Sequence, residues 1–113
     1  MLFGLLPGSV DVMVLKALAA RPNHGYGVAR WMRETTDDQL VIEEGALYTA
    51  LHRLEKAGLL RHEWKTSETG RRAKYYTLTP GGRRTLKAQT ETWRKSTTAL
   101  FKVLDAPSRR SSS

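Results

Sequence analysis

The chain has 113 residues, with 19 Lys and Arg against 11 Asp and Glu, a net charge of +8 and no cysteine. That length suits one domain, and 40% hydrophobic residues supply a thin core. The lack of cysteine excludes disulfides, thiol catalysis and thiolate metal sites, while the positive charge favours a polyanion as partner: DNA, RNA or an anionic membrane surface.

Residues 1–6, MLFGLL, are apolar but have no basic start and run into Pro7 and Gly8. They are too short for a signal peptide or a membrane span, and a cytoplasmic protein with no membrane partner is expected. Ser9 is predicted to cap a helix from Val10, with Asp11 near its positive end. The run VDVMVLKALAA is apolar almost all round, so this helix is expected at the centre of the core. Arg21, Pro22 and Asn23 end it. A second helix is predicted from Gly25 to Glu34. Its two glycines cost about 1 kcal/mol each in an exposed helix interior, and serve either close packing or a tight turn into the helix. Thr35 to Gln39 is a polar loop, and Leu40 to Ile42 a very short strand.

Residues 43–60 read EEGALYTALHRLEKAGLL. Leu47, Ala50, Leu51 and Leu54 share one arc of a helix that Gly58 terminates. Glu43 and Glu44 stand at its start, where negative charge suits the helix dipole. A strand follows from Leu59 to Lys65, with Leu60, His62 and Trp64 alternating against Arg61, Glu63 and Lys65. A polar turn from Thr66 to Gly70 leads to a returning strand from Arg72 to Leu78. Thr79 and Pro80 read as a cap and a first helical residue, with Gly81 and Gly82 weakening the first turn. This last helix is predicted to reach Leu104. Leu86, Trp93 and Leu100 are seven apart, and Thr90, Thr97 and Leu104 fill the alternate positions of the same seam. A helix of that length with one apolar seam needs something to lie against.

The fold expected is mainly α with a small β-hairpin: a winged helix-turn-helix over residues 1–78, a long C-terminal dimerisation helix over 79–104, and a disordered tail over 105–113. In it the third helix is the recognition helix. Opposite its apolar arc lie Thr49, His52, Arg53 and Lys56, with Tyr48 at the border. Such a polar face is commonly just solvated. Here it joins donors, a cation and an aromatic ring, which suits base edges and phosphates, and a hairpin carrying Lys65, Arg71, Arg72 and Lys74 follows at once. Gly45 either lets backbone N–H groups approach an anion closely or eases the start of the helix. Glu43 and Glu44 oppose the reading, since they repel phosphate.

At this point the residues resemble a family. LLPGSVDVMVLKAL (5–18), HGYGVA (24–29), EEGALYTALHRLEKAGLL (43–60) and RRAKYYTLTPGGRR (71–84) together look like the PadR family of bacterial transcriptional regulators, in its short-chain branch with one C-terminal helix. Each motif is weak alone; their order and spacing carry the likeness from Leu5 to about Leu104. The resemblance implies a winged-helix homodimer joined through the C-terminal helix, binding double-stranded DNA and usually repressing from a palindromic operator. It implies a DNA contact for Tyr48 and a basic wing, which Arg71, Arg72 and Lys74 match. Thr49 departs from the family's Leu-Tyr-Pro, which leaves base preference open there. The HGY at 24–26 is expected to set the second helix against the third, and Tyr75 and Tyr76 to pack in the strand. Some relatives hold flat aromatic compounds against a tryptophan placed like Trp93. Either Trp93 is interface core, or a planar aromatic effector stacks on it between Leu86 and Leu100, with Thr90 and Thr97 at its edge.

Enzyme readings find little support. His24, His52 and His62 show no metal-ligand spacing, and there is neither a phosphate loop nor a nucleophile elbow, so no catalytic residue, metal or cofactor is expected. An RNA module lacks its aromatic platform and GXXG loop. A winged helix that binds protein remains the alternative, separable by salt dependence, which only a polyanion partner makes steep.

Overall fold

A computed structural model describes residues 8–108. The MLFGLL run and the last five residues of the tail lie outside them. The elements in chain order are α1 (Ser9–Ala20), α2 (Gly25–Thr35), α3 (Glu44–Lys56), β1 (Leu60–Thr66), β2 (Arg72–Leu78) and α4 (Pro80–Leu104). β1 and β2 form a two-stranded antiparallel hairpin in the register Leu60↔Leu78 to Thr66↔Arg72. Four helices and a hairpin in this order make the expected winged helix-turn-helix with a long final helix. Among the described residues, no helix is long and apolar enough to cross a membrane.

The core is where the apolar arcs converge. Val14, Leu15 and Leu18 of α1 meet Val28 and Met32 of α2, Leu47, Ala50, Leu51 and Leu54 of α3, and Leu60, Tyr76 and Leu78 of the hairpin. All are at most 4% exposed. α1 is central as its composition requires, but Gly8 rather than Ser9 stands at its N-cap, with φ 80°. That left-handed conformation suits glycine, and it starts the helix one residue early, so that Ser9 is buried in the first turn. No strand forms at residues 40–42. Leu40 instead drops into the core, and Ile42 packs against it partly buried. The outer edge of β2 is met by Asn23, whose N–H donates to the Tyr76 carbonyl at 3.2 Å while the Tyr76 N–H donates to the Asn23 carbonyl at 2.8 Å.

The helix ends follow their local chemistry. His24 caps α2 by accepting the Gly27 N–H at Nδ1, 3.0 Å away. α3 closes on Gly58 at φ 81°, where the Gly58 N–H donates to the Glu55 carbonyl and the Leu59 N–H to the Leu54 carbonyl. Thr79 joins this end to the next start. Its hydroxyl accepts the Gly82 N–H and donates to the Gly58 carbonyl, and its N–H donates to the Leu59 carbonyl. Gly82 is therefore more than a weak first turn. A Cβ there would run into the Leu59 carbonyl oxygen and come within 2.8 Å of Leu78 Cδ1. Beyond its first turns α4 leaves the core. Leu86 still packs on it and Trp93 is half-buried, whereas Leu100, Phe101 and Leu104 are 52, 55 and 62% exposed.

Gly82→Ala tests the contact at the root of α4. Helix propensity alone would favour alanine by about 1 kcal/mol. The clash reverses the sign, and urea denaturation should show a loss of about 1–3 kcal/mol.

Candidate nucleic-acid interface

Once its apolar arc is buried, α3 has two polar stripes, each made of residues three or four apart. Tyr48, His52 and Glu55 form one, Thr49, Arg53 and Lys56 the other. The first faces the hairpin. Tyr48 and His52 line an open groove of about 850 Å³ together with Gly25, Tyr26 and Arg30 from α2 and Trp64, Arg71, Arg72 and Lys74 from the hairpin, Tyr76 also contributing. The second stripe lies toward α1, where the Arg53 guanidinium binds the Asp11 carboxylate through Nη2 and, at 3.2 Å, through Nε.

The expected residues are thus sorted rather than gathered in one place. Tyr48, His52, Arg71, Arg72 and Lys74 share the groove. Thr49, Arg53 and Lys56 are exposed on the neighbouring stripe. Arg53 is no unencumbered cation: any contact it makes with DNA must break or share the Asp11 pair. Lys65 sits on the outward face of β1, its ammonium 5.0 Å from the centre of the Tyr75 ring. Gly45 is exposed, and a Cβ there would meet nothing within 4 Å. Packing within the chain therefore does not require a glycine at that position.

Tyr48 is held from behind. A Cβ on Gly25 would come within 2.7 Å of its hydroxyl, so the glycine lets α2 approach the ring closely. This is the contact expected of the HGY motif, although Tyr26 itself is 64% exposed. Burial pushes the Tyr48 phenol above its ordinary pKa, and the Glu44 carboxylate and Tyr76 add to the rise. The hydroxyl stays neutral and able to donate at any pH near 7.

Groove residues not expected from the sequence include Tyr26, Arg30 and Trp64, and Glu68 of the hairpin turn also lines it. Arg30 stands over the Tyr26 ring at 5.8 Å, and Arg72 over the Trp64 ring at 5.6 Å. Tyr26 and Arg30 are four apart on an amphipathic helix, a signal that was available. Trp64 was expected to alternate inward with Leu60 and His62, yet it is 54% exposed. The alternation holds, but the strand outruns the core. Of β1 only Leu60 is buried. Tyr76 packs in the strand as expected, at 1% exposure, and Tyr75 is half-buried with its ring edge-on to His24.

Arg30, Arg71 and Arg72 have no carboxylate within ion-pair distance among the described residues. Three unpaired guanidinium groups, two exposed aromatic rings and a neutral phenol along one groove make a surface for a phosphate backbone and base edges. Comparison with known proteins agrees. Residues 14–88 match the description Transcriptional regulator PadR-like family. A relative from Lysinibacillus sphaericus, described only as an uncharacterized protein, is 25% identical over 89 residues, 79% of this chain and 82% of its own. The structure of a transcriptional regulator from Clostridium thermocellum is 32% identical, superposes with a TM-score of 0.80, and covers 90% of this chain and 96% of its own. A PadR family transcription regulator from Clostridium difficile is 29% identical with a TM-score of 0.74, over 86% of this chain and 99% of its own. With the groove, the fold and the match over residues 14–88 in agreement, the chain belongs to the PadR-like family of transcriptional regulators, DNA-binding proteins rather than enzymes.

Proposed function

We propose that the protein is a cytoplasmic homodimer that represses transcription from a palindromic operator, and that a planar aromatic compound releases it. The observation that carries the reading is the pairing of a cationic groove beside α3 with a long helix whose far half leaves Leu100, Phe101 and Leu104 exposed among the described residues. The radius of gyration is 17.3 Å, against about 13 Å for a compact chain of this length. A second copy lying along α4 would cover Leu100, Phe101 and Leu104 and would set the spacing of two recognition helices. One such helix reads only a few base pairs, so tight discrimination favours two.

Within this reading the groove residues divide by task. Arg71 and Arg72 clamp phosphates from the hairpin tip, and Tyr48 and His52 reach base edges. Thr49, Arg53, Lys56 and Lys65 flank the path, with Gly45 allowing close approach of a phosphate to the start of α3. The effector would stack on Trp93, half-buried between Leu86 and Leu100 on the seam. The Thr90 and Thr97 hydroxyls donate to the Leu86 and Trp93 carbonyls, at 2.8 and 2.7 Å. Toward a ligand they therefore act as acceptors. A ligand shifts DNA affinity only by binding two dimer geometries unequally, typically by about 1–3 kcal/mol.

Three outcomes are expected. Arg71→Ala or Arg72→Ala should weaken binding to every duplex and reduce the salt slope by about 1 per lost phosphate contact, whereas Tyr48→Ala should cost about 1–3 kcal/mol mainly on the preferred duplex. Fluorescence anisotropy across a salt series separates the two. A protein-binding winged helix would give no steep salt dependence at all. Sedimentation at micromolar concentration should give a dimer that Phe101→Asp with Leu104→Asp converts to a monomer with most duplex affinity lost; a parent monomer that binds tightly would refute the dimer. Trp93→Ala should remain dimeric yet bind a panel of planar dyes at least tenfold more weakly, about 1.4 kcal/mol. Unchanged dye affinity would make Trp93 interface core.

A further inference from the structure

The hairpin must keep a set angle to α3 if Arg71 and Arg72 are to meet phosphates while Tyr48 and His52 meet bases. The core holds only its root. Past Leu60 all of β1 is exposed, and on β2 only Tyr76 and Leu78 are buried. A restraint outside the core is therefore needed, and Glu55 supplies one. It lies in the last turn of α3, on the stripe that faces the hairpin. One carboxylate oxygen accepts from His62 Nδ1–H on β1, and the other lies 3.8 Å from Lys74 Nζ on β2. The side chains of Glu55, His62 and Lys74 are 25, 31 and 26% exposed, so the group is partly shielded from water and salt. It is built around Tyr76, with the His62 ring 6.1 Å from the tyrosine ring and the Lys74 ammonium 5.6 Å from its centre. His62 pairs with Tyr76 across the hairpin, and Lys74 with Trp64. Glu55 thus touches both strands on their inward face, where the hairpin leaves the core.

We propose that Glu55 is a positioning residue for DNA recognition, holding the wing at its angle to α3, and that Lys74 serves as its tie rather than as a phosphate contact. The proposal rests on the DNA-binding reading above. A carboxylate beside a phosphate-binding groove is otherwise only a repulsion, so its removal by itself should strengthen binding to any duplex. A positioning role demands the opposite sign on the preferred sequence, because phosphate contacts from a misplaced wing no longer fix the register of the reading helix.

The test uses the full chain and two probes: the duplex the parent selects from a randomised library, and a random duplex of equal length. Glu55→Ala should lower the ratio of selected to random affinity about three- to tenfold, the hydrogen bond to His62 and the ion pair to Lys74 being lost, with random-duplex affinity equal or higher. Glu55→Gln should fall between, since its amide oxygen can still accept from His62 Nδ1–H while the charge that holds Lys74 is gone. Lys74→Gln should leave the salt slope unchanged, where Arg71→Ala reduces it by about 1. Hydrogen exchange without DNA supplies an independent arm: hairpin amides from residue 61 to 77 should exchange faster in Glu55→Ala. Equal strengthening on both duplexes, or hairpin exchange identical to the parent, would overturn the role of Glu55. A parent that binds neither duplex in a salt-dependent way would instead refute the DNA-binding reading, whatever the exchange data show.

Discussion

Tyr76 stands where the hairpin meets the helical core. Its backbone pairs with His62 of β1 on one side and exchanges two hydrogen bonds with Asn23, just before α2, on the other. Its ring is 1% exposed among core residues, and His62 and Lys74 rest against it on the side of the groove. Burying one large aromatic ring at the root of a two-stranded hairpin matters because such a hairpin is marginal by itself in water. The ring anchors the hairpin to the helices, and the Asn23 bridge covers the edge of β2 that would otherwise be open. From that anchor the strands extend past the core and carry their cations outward.

The polar side of α3 then acquires two environments from one helix. Toward the hairpin it meets aromatic rings and unpaired guanidinium groups. Toward α1 it meets Asp11, which neutralises Arg53. Among the acids near the groove, Glu68 lines it from the hairpin turn, while two others have a structural place. Glu44 lies in the first turn of α3, where the helix dipole favours it, and Glu55 is committed to His62 and Lys74. The positive charge of the chain is thereby concentrated where a polyanion can use it, since the cations nearest the carboxylates are already satisfied.

α4 connects this surface to the far end of the molecule. Its N-terminus is welded to the end of α3 through Thr79, Gly58 and the close approach of Gly82 to the Leu59 carbonyl. The Arg83 guanidinium adds a hydrogen bond to the Ala19 carbonyl at the end of α1. A change in the tilt of α4 would act on α1 and α3 through these contacts. That is the mechanical requirement for any control of DNA binding exercised from the far half of α4.

Much of this architecture was legible in the sequence because it depends on local rules. The arc of Leu47, Ala50, Leu51 and Leu54 identifies α3 and its buried side, Gly58 its end, and Thr79-Pro80 the start of α4. These follow from helical periodicity and the chemistry of helix ends, which operate over a few residues. Cationic character and a hairpin after α3 were equally local. What only the tertiary structure decided is which polar residue faces which neighbour. Arg53 and His52 are adjacent in sequence, yet one is held by Asp11 from 42 positions away and the other opens onto the groove. Trp64 alternates as an inward residue should, but the core ends at Leu60, so the same pattern leaves it exposed. Tyr26 and Arg30 reach the groove only because Gly25 lets α2 close on Tyr48. Glu55 is one charged residue among many along the chain, and its three-way contact exists only once β1 and β2 pass beside α3. Periodicity tells a residue which side of its own helix or strand it occupies; what stands opposite depends on how far each element extends and how closely the backbones approach, and those are set by packing between segments distant in sequence.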